Sequence, residues 1–276
     1  MHLKNVLLGC LAVATVTACS NEEVMEQASQ APTEVQFRID QQAITKAVKV
    51  DFVEGDAIGI YAVERLLDDE QAAVPTGESR AINVKYVKDK DGNWKPATEQ
   101  DKITWSDVPM DFYAYYPYSE SAVDPSAIAV DVLKDKSDFL YAANTEGLNG
   151  HRGKEVVNLT FNHQLAMVEV LVPGLTKDDV VTMQSVKYAG EFSLATGELK
   201  AGANQSDVVL EYVGEDASKN AIFQGFLPAQ SLYYMPSNPQ CIVCKTATDK
   251  YTYNIVADFG VQLVKGEKKQ FVLTLQ

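Results

Sequence analysis

Val156-Val-Asn-Leu-Thr-Phe-Asn-His-Gln-Leu-Ala-Met-Val-Glu-Val-Leu-Val172 is the stretch on which the fold turns. It reads as two apolar strand segments, Val156 to Phe161 and Leu165 to Val172, joined at Phe161-Asn-His-Gln-Leu165. The first alternates apolar and polar side chains, which puts its apolar set on one face of a sheet.

The same period of two recurs outward in both directions, with turn residues between the runs and no convincing helical periodicity. Upstream it marks Val35 to Ile39, Val48 to Val53, Ala57 to Val63, Ala81 to Val87 and Met110 to Tyr116. Downstream it marks Val186 to Ala189, Ala221 to Leu227, Leu232 to Tyr234, Cys241 to Thr246, Tyr251 to Ile255 and Gln270 to Leu275. The fold class is therefore mostly β. Lys88-Asp-Lys-Asp-Gly-Asn93 has the composition of a hairpin turn, with Asp91-Gly92 suited to positive φ. As a calcium loop it is poor, because the glycine comes too early and no glutamate closes the ligand set. Val172-Pro-Gly-Leu-Thr176, followed by Lys177-Asp-Asp179, is the best domain boundary. It divides the chain into an N-terminal domain over residues 35 to 173 and a C-terminal domain over residues 174 to 276.

The N-terminus reads as processing sequence. Lys4 supplies a positive start, Val6 to Ala14 a short apolar run, and Thr17-Ala18-Cys19 small residues before a thiol. That is the form of a bacterial lipoprotein signal, with residues 1 to 18 removed, Cys19 lipidated and residues 19 to 34 a polar tether. An ordinary secretory signal ending in a cysteine is the bland alternative. The apolar run is short of the roughly 20 residues a membrane-spanning helix needs. Ser20-Asn-Glu-Glu23 follows, and an acidic stretch beside a lipidated cysteine resembles the signal for the outer face of the outer membrane. Several acyl chains, at roughly 0.8 kcal/mol per buried methylene, would hold the protein there.

The 276-residue chain carries a net charge of −14, a surface that repels phosphate backbones, so nucleic acid is a poor partner. Of its four cysteines, Cys10 leaves with the signal and Cys19 is the lipid site. Cys241 and Cys244 remain, spaced C-x-x-C. In a strand, positions three apart face opposite ways, where two thiols neither close a normal disulfide nor share a metal. A disulfide stays open if the segment is a turn.

Signs of catalysis are sparse. His151 sits in the loop sequence Asn149-Gly-His-Arg-Gly153, and His163 joins two strands and reads as a structural histidine. No nucleophile elbow accompanies either. Carboxylates are abundant, and a glycosidase pair would meet only in the fold. The run Phe112-Tyr-Ala-Tyr-Tyr-Pro-Tyr118 offers rings that could stack on sugars. In a strand, however, Phe112, Ala114 and Tyr116 face one way and Tyr113 and Tyr115 the other, so at least one set belongs in the core.

Taken in order, several stretches resemble the fimbrillin family, the lipoprotein-derived subunits of type V pili. They are Phe52-Val-Glu-Gly-Asp-Ala-Ile-Gly-Ile-Tyr61, Ile103-Thr-Trp-Ser106, Met110 to Tyr118, Asp138-Phe-Leu-Tyr-Ala142, Leu159-Thr-Phe-Asn-His-Gln-Leu-Ala166 and Val264 to Leu275. The resemblance implies two tandem β-sandwich domains of transthyretin-like topology, no enzymatic activity and no cofactor. It also implies partnership with other fimbrial subunits by strand addition, after proteolysis removes an N-terminal strand. Here the displaced strand would be Val35, Phe37 and Ile39, and the donor strand Phe271, Leu273 and Leu275. Both sets read equally well as ordinary terminal strands fixed in their sheets. Family members are cut after arginine, whereas this chain has Lys46 before Ala47, with Arg38 the nearest upstream arginine. A subunit that keeps its lipid would instead be an anchor, a tip protein or a monomeric surface protein binding host or bacterial glycans or proteins.

Overall fold

Strand β8 (Val156–His163) buries every second residue, Val157, Leu159, Phe161 and His163, while β9 (Ala166–Pro173) buries all of its residues up to Val172. The computed structural model describes residues 33–43, 51–65, 72–145, 156–255 and 260–275. Before β8 come β1 (Gln36–Gln41), β2 (Ala57–Glu64), β3 (Ala81–Lys88), β4 (Trp94–Pro96), β5 (Met110–Tyr116), β6 (Ile128–Asp131), the one-turn helix α1 (Val132–Asp135) and β7 (Leu140–Asn144). Except for β6, these strands form a seven-stranded sheet in the order β1-β8-β7-β5-β2-β3-β4.

After β9 follow β10 (Val180–Lys187), β11 (Ala189–Ser193), β12 (Glu198–Ala201), β13 (Gln205–Glu215) and β14 (Asn220–Leu227). Then come β15 (Gln230–Leu232), β16 (Tyr234–Met235), β17 (Asn238–Pro239), β18 (Cys241–Lys245), β19 (Lys250–Asn254), β20 (Val261–Leu263) and β21 (Lys268–Val272). The second seven-stranded sheet runs β19-β18-β10-β13-β14-β9-β21, β12-β11-β6 makes a small third sheet, and β15-β20 and β16-β17 are short ribbons. The result is a mostly β, sandwich-like fold.

The first sheet is buried on both faces. Ile58, Ile60, Ala62, Phe112, Ala114, Leu159 and Phe161 pack in one apolar cluster. Tyr61, Val63, Tyr113 and Tyr115 point the other way, into a larger cluster with Val168, Val170, Met183 and Phe223 of the second sheet. Each of the larger aliphatic and phenylalanine side chains contributes about 1.5–3 kcal/mol by leaving water. Burial on both sides favours internal partners for polar groups. Asp111 and Arg65 form a fully buried bidentate pair, Nε to Oδ2 at 2.9 Å and Nη2 to Oδ1. Asp111 also accepts the Ala73 amide at 2.7 Å, and Arg65 donates to the Thr145 carbonyl at 3.1 Å.

The alternating runs at Ala57 to Val63, Ala81 to Val87, Met110 to Tyr116 and Ala221 to Leu227 are strands. Val48 to Val50 lie outside the described residues, and Asp51 to Val53 are not strand. The run from Val186 to Ala189 is not one strand: it covers the end of β10 and the first residue of β11, with Tyr188 between, and β10 has a bulge between Met183 and Val186 where Ser185 takes φ 54°. The hairpin at Lys88 to Asn93 joins β3 to β4, with Gly92 at φ 85°. The Asp89 carboxylate accepts the amides of Asp91 and Asn93 and pairs with Lys95.

Because Asp111 neutralises a buried guanidinium, Asp111→Ala is expected to cost about 3–5 kcal/mol of stability in urea unfolding. A loss under about 1 kcal/mol would show the pair to be dispensable.

Candidate functional site: the two terminal strands and the junction between the sheets

Both terminal strands lie at sheet edges, and each pairs in parallel with one of the two consecutive strands β8 and β9. Parallel partners cannot be joined by a tight turn, so each pairing brings together residues far apart in sequence.

At the first edge, β1 pairs with β8 from Gln36 opposite Val156 to Gln41 opposite Phe161. Its entry is pinned by the Val35 amide on the Ile103 carbonyl at 2.8 Å, and its exit by the Gln42 amide on Phe161 at 2.9 Å. Alternation aims Val35, Phe37 and Ile39 into the apolar cluster of the first sheet. Val35 is 1 % exposed. Phe37 meets Tyr86 and Phe112 edge to face at centroid distances of 5.3 and 5.6 Å. Arg38 points the other way and is exposed, but its backbone sits within the ladder. Cys19, Lys46 and His151 lie outside the described residues.

At the edge of the second sheet, β21 pairs with β9 from Lys268 opposite Met167 to Val272 opposite Leu171. The Leu273 amide continues the contact to the Leu171 carbonyl at 2.9 Å. Phe271, Leu273 and Leu275 pack, half-buried, on the larger cluster. Across from them Glu169, 5 % exposed, gathers donors from both neighbouring strands. Its carboxylate accepts Gln224 at 2.6 Å from β14, and Gln270 at 2.7 Å and Lys268 at 2.9 Å from β21. Burial pushes the Glu169 carboxyl up, but the hydrogen bonds from Gln270, Lys268 and Gln224 prevail and hold it below the usual range.

The junction Asn162–Ala166 contacts the residue that follows β1 and the residues that precede β21. His163 is buried, with Nδ1 on the Asp138 carboxylate and Nε2 donating to the Gln42 carbonyl at 2.8 Å. Two residues on, the Leu165 carbonyl accepts the Gly266 amide at 2.8 Å, and the Met167 amide donates to the Glu267 carbonyl at 3.0 Å. Lys265 donates to Gln164 Oε1 and to the Gly197 carbonyl, each at 3.4 Å. A cleft of about 470 Å³ opens here between Gln42, Tyr141, Asn162, Thr196 and Lys265.

Other candidates fall into the core. Tyr113 and Tyr115 are 4 % and 0 % exposed, and their hydroxyls donate to the Ala73 carbonyl at 2.7 Å and Asn83 Oδ1 at 2.6 Å. Burial raises both phenols, Tyr113 to about 12. These two rings are thus packing residues and present no face to a sugar. Cys241 and Cys244 are free and buried on strand β18, and burial pushes the Cys244 thiol up to about 11. Glu169, Asp111 and Asp138 escaped sequence reasoning. A lone acid in an apolar run, as in Val168-Glu-Val170 or Met110-Asp-Phe112, was the available signal, since such an acid must find a buried partner.

The sequence profile of fimbrillin-like proteins matches residues 45–276, and the chain belongs to that family. Among solved structures, a candidate cell adhesion protein from Bacteroides ovatus is 21 % identical, with 89 % of this chain and 93 % of that chain covered at a TM-score of 0.66. A second, from Bacteroides uniformis, is 19 % identical over 88 % of this chain and 92 % of that chain, at a TM-score of 0.62. At such identities the likeness is one of fold. No curated protein matches the chain significantly.

A depressed carboxyl stabilises the fold above its unfolded range, and that contribution fades as pH falls through the folded value. Hydrogen exchange should therefore show β21 losing protection ahead of β5 as pH drops below the ordinary carboxylate range. Glu169→Gln should remove that difference, and an unchanged pH profile in the variant would refute the assignment.

Proposed function

We propose that this protein is a cell-surface fimbrial subunit or fimbrillin-like adhesin that is exported as a lipoprotein on Cys19 and assembles by strand exchange. It is read as a structural protein with no enzymatic role. Membership of the fimbrillin-like family supports the coarse reading. The observation that carries the finer one is the seating of β1: an edge strand whose Val35, Phe37 and Ile39 fill an apolar groove along β8. Proteolysis between β1 and β2, for which Lys46 is the candidate residue, would free that strand. Withdrawal would then bare Tyr86, Phe112 and one main-chain edge of β8, a ready template for an extended segment.

The C-terminal strand has the matching sequence. Gln270-Phe-Val-Leu273 repeats the pattern of Gln36-Phe-Arg-Ile39, and both run parallel to their partner strands. Aligned on those residues, Phe271 of a second copy takes the place of Phe37 and Leu273 that of Ile39. The division into domains over residues 35–173 and 174–276 belongs to the same reading, with β9 lent to the second sheet.

Protein trimmed at Lys46 and freed of β1 should form oligomers or fibres in size-exclusion chromatography and electron microscopy. It should also bind a peptide of residues 268–275, with Phe271→Ala in the peptide weakening binding roughly 10- to 100-fold, the worth of one buried aromatic ring. A trimmed protein that stays monomeric under all assembly conditions and ignores the peptide would end the strand-exchange reading.

A second reading, a lipidated monomer that binds surface glycans or proteins, is favoured by one observation. Tyr233, Tyr234 and Met235 are 46 %, 39 % and 41 % exposed at the β16–β17 hairpin. Exposed rings of this kind suit binding faces. Glycan-array binding that disappears in Tyr234→Ala would support it, and an empty array would count against it.

A further inference from the structure

The imidazole of His163 stands between two acceptors. Nε2 faces the Gln42 main-chain carbonyl at 2.8 Å, and Nδ1 faces the Asp138 carboxylate. A carbonyl oxygen only accepts, so Nε2 must carry hydrogen. A neutral imidazole has a single N–H, and one spent on Gln42 leaves Nδ1 as a bare lone pair. That lone pair can face Asp138 only if the carboxyl is protonated; otherwise Nδ1 must itself be protonated. In either form the pair holds one proton more than a neutral imidazole beside an ionised carboxylate.

We propose that His163 and Asp138 form a proton-loaded clamp on the main chain of the strand seated along β8, so that loss of the shared proton releases Gln42 and loosens β1. With the proton gone, the remaining N–H turns to the carboxylate, the stronger acceptor, and Nε2 presents a lone pair to a carbonyl. The clamp acts at the exit of β1, one residue past the end of the strand, where the Gln42 amide also bonds Phe161. It reads only main chain, so it would grip any strand that offers a carbonyl at that point.

The surroundings favour the loaded state. Asp138 is buried, and its other carboxyl oxygen accepts the Phe139 amide at 2.8 Å. Burial raises the Asp138 carboxyl, against the opposing pull of His163. On the cleft side stand Lys265, bound to Gln164 and Gly197, and Tyr141, whose hydroxyl donates to the Leu194 carbonyl at 2.8 Å. Behind Asp138, a cavity of about 230 Å³ is lined by Asp51, Asp56, Lys136 and Tyr116, with the Tyr116 hydroxyl on Asp56 at 3.1 Å. A group whose proton affinity is raised by folding adds stability at low pH that is lost as pH rises through its folded value. The grip on β1 therefore weakens with rising pH.

This inference concerns β1 in the single chain, so a failure of strand exchange would not touch it. The test is hydrogen exchange of the full chain from about pH 5 to about pH 9, corrected for intrinsic rates and read at Gln36–Gln42 against β5. In the natural protein the protection of β1 should fall roughly tenfold relative to β5 as pH rises, the worth of one hydrogen bond. In Asp138→Asn the side-chain amide can donate to Nδ1 while Nε2–H stays on Gln42, so the pH dependence should vanish with the grip retained. A flat profile in the natural protein, or an equal slope in the variant, would overturn the clamp. If Asp138→Asn does not fold, ring-nitrogen NMR of the natural protein decides. Loss of a ring proton together with β1 protection supports the clamp, and loss without any change in β1 refutes it.

Discussion

Strand β5 has no wet face. From Met110 to Tyr115 every residue is buried, three side chains belonging to one apolar cluster and two to the other, with Asp111 held by Arg65. A strand in that position cannot exist alone, because a single sheet offers a second face to water. The second sheet is thus a requirement of the first. Polar atoms on the inner face follow the same logic: the hydroxyls of Tyr61, Tyr113 and Tyr115 each end on an acceptor within the protein. Hydrogen bonding here adds modest net stability, but its absence would cost the full desolvation of each group.

Much of this could be read from side-chain period. Strands β2, β3, β5, β8, β9 and β14 announced themselves because their apolar residues alternate or run unbroken. The longest strand among the described residues, β13, did not, since Val209 and Val213 stand on the outward face with Asp207, Glu211 and Glu215 and hide the alternation. Only the structure reveals that Val208 and Leu210 face the core while Val209 is 59 % exposed. Period is also silent about partners. It marked Val35 to Ile39 and Gln270 to Leu275 as strands, yet nothing local states that each pairs in parallel, or with which neighbour. The Asp138–His163 contact was hidden for the same reason, as it joins residues that share no periodic element.

The two terminal strands are held by unlike chemistry. Glu169 is a carboxylate that collects three donors from β14 and β21, whereas His163 is an imidazole that faces acceptors from the residue after β1 and from the segment before β7. Neither lies in the apolar clusters that carry most of the folding energy, so each can change state while the sheets remain. Edge strands with few neighbours open at lower free energy than the core they flank. Edge geometry therefore singles out two segments, one at each end of the described chain.

The parallel pairing of β1 also bears on how the chain is made. Gln42 and His163, which close that pairing, are 121 residues apart. Contacts of such long range form late, after the loop between them has been closed. A ribosome delivers a chain from its N-terminus, so β1 emerges ahead of β8 and must wait until β8 has followed. Through that interval its alternating Val35, Phe37 and Ile39 have no groove to enter. β1 is thus made well before its seat exists, and the groove it finally fills is for a time open to whichever strand reaches it first.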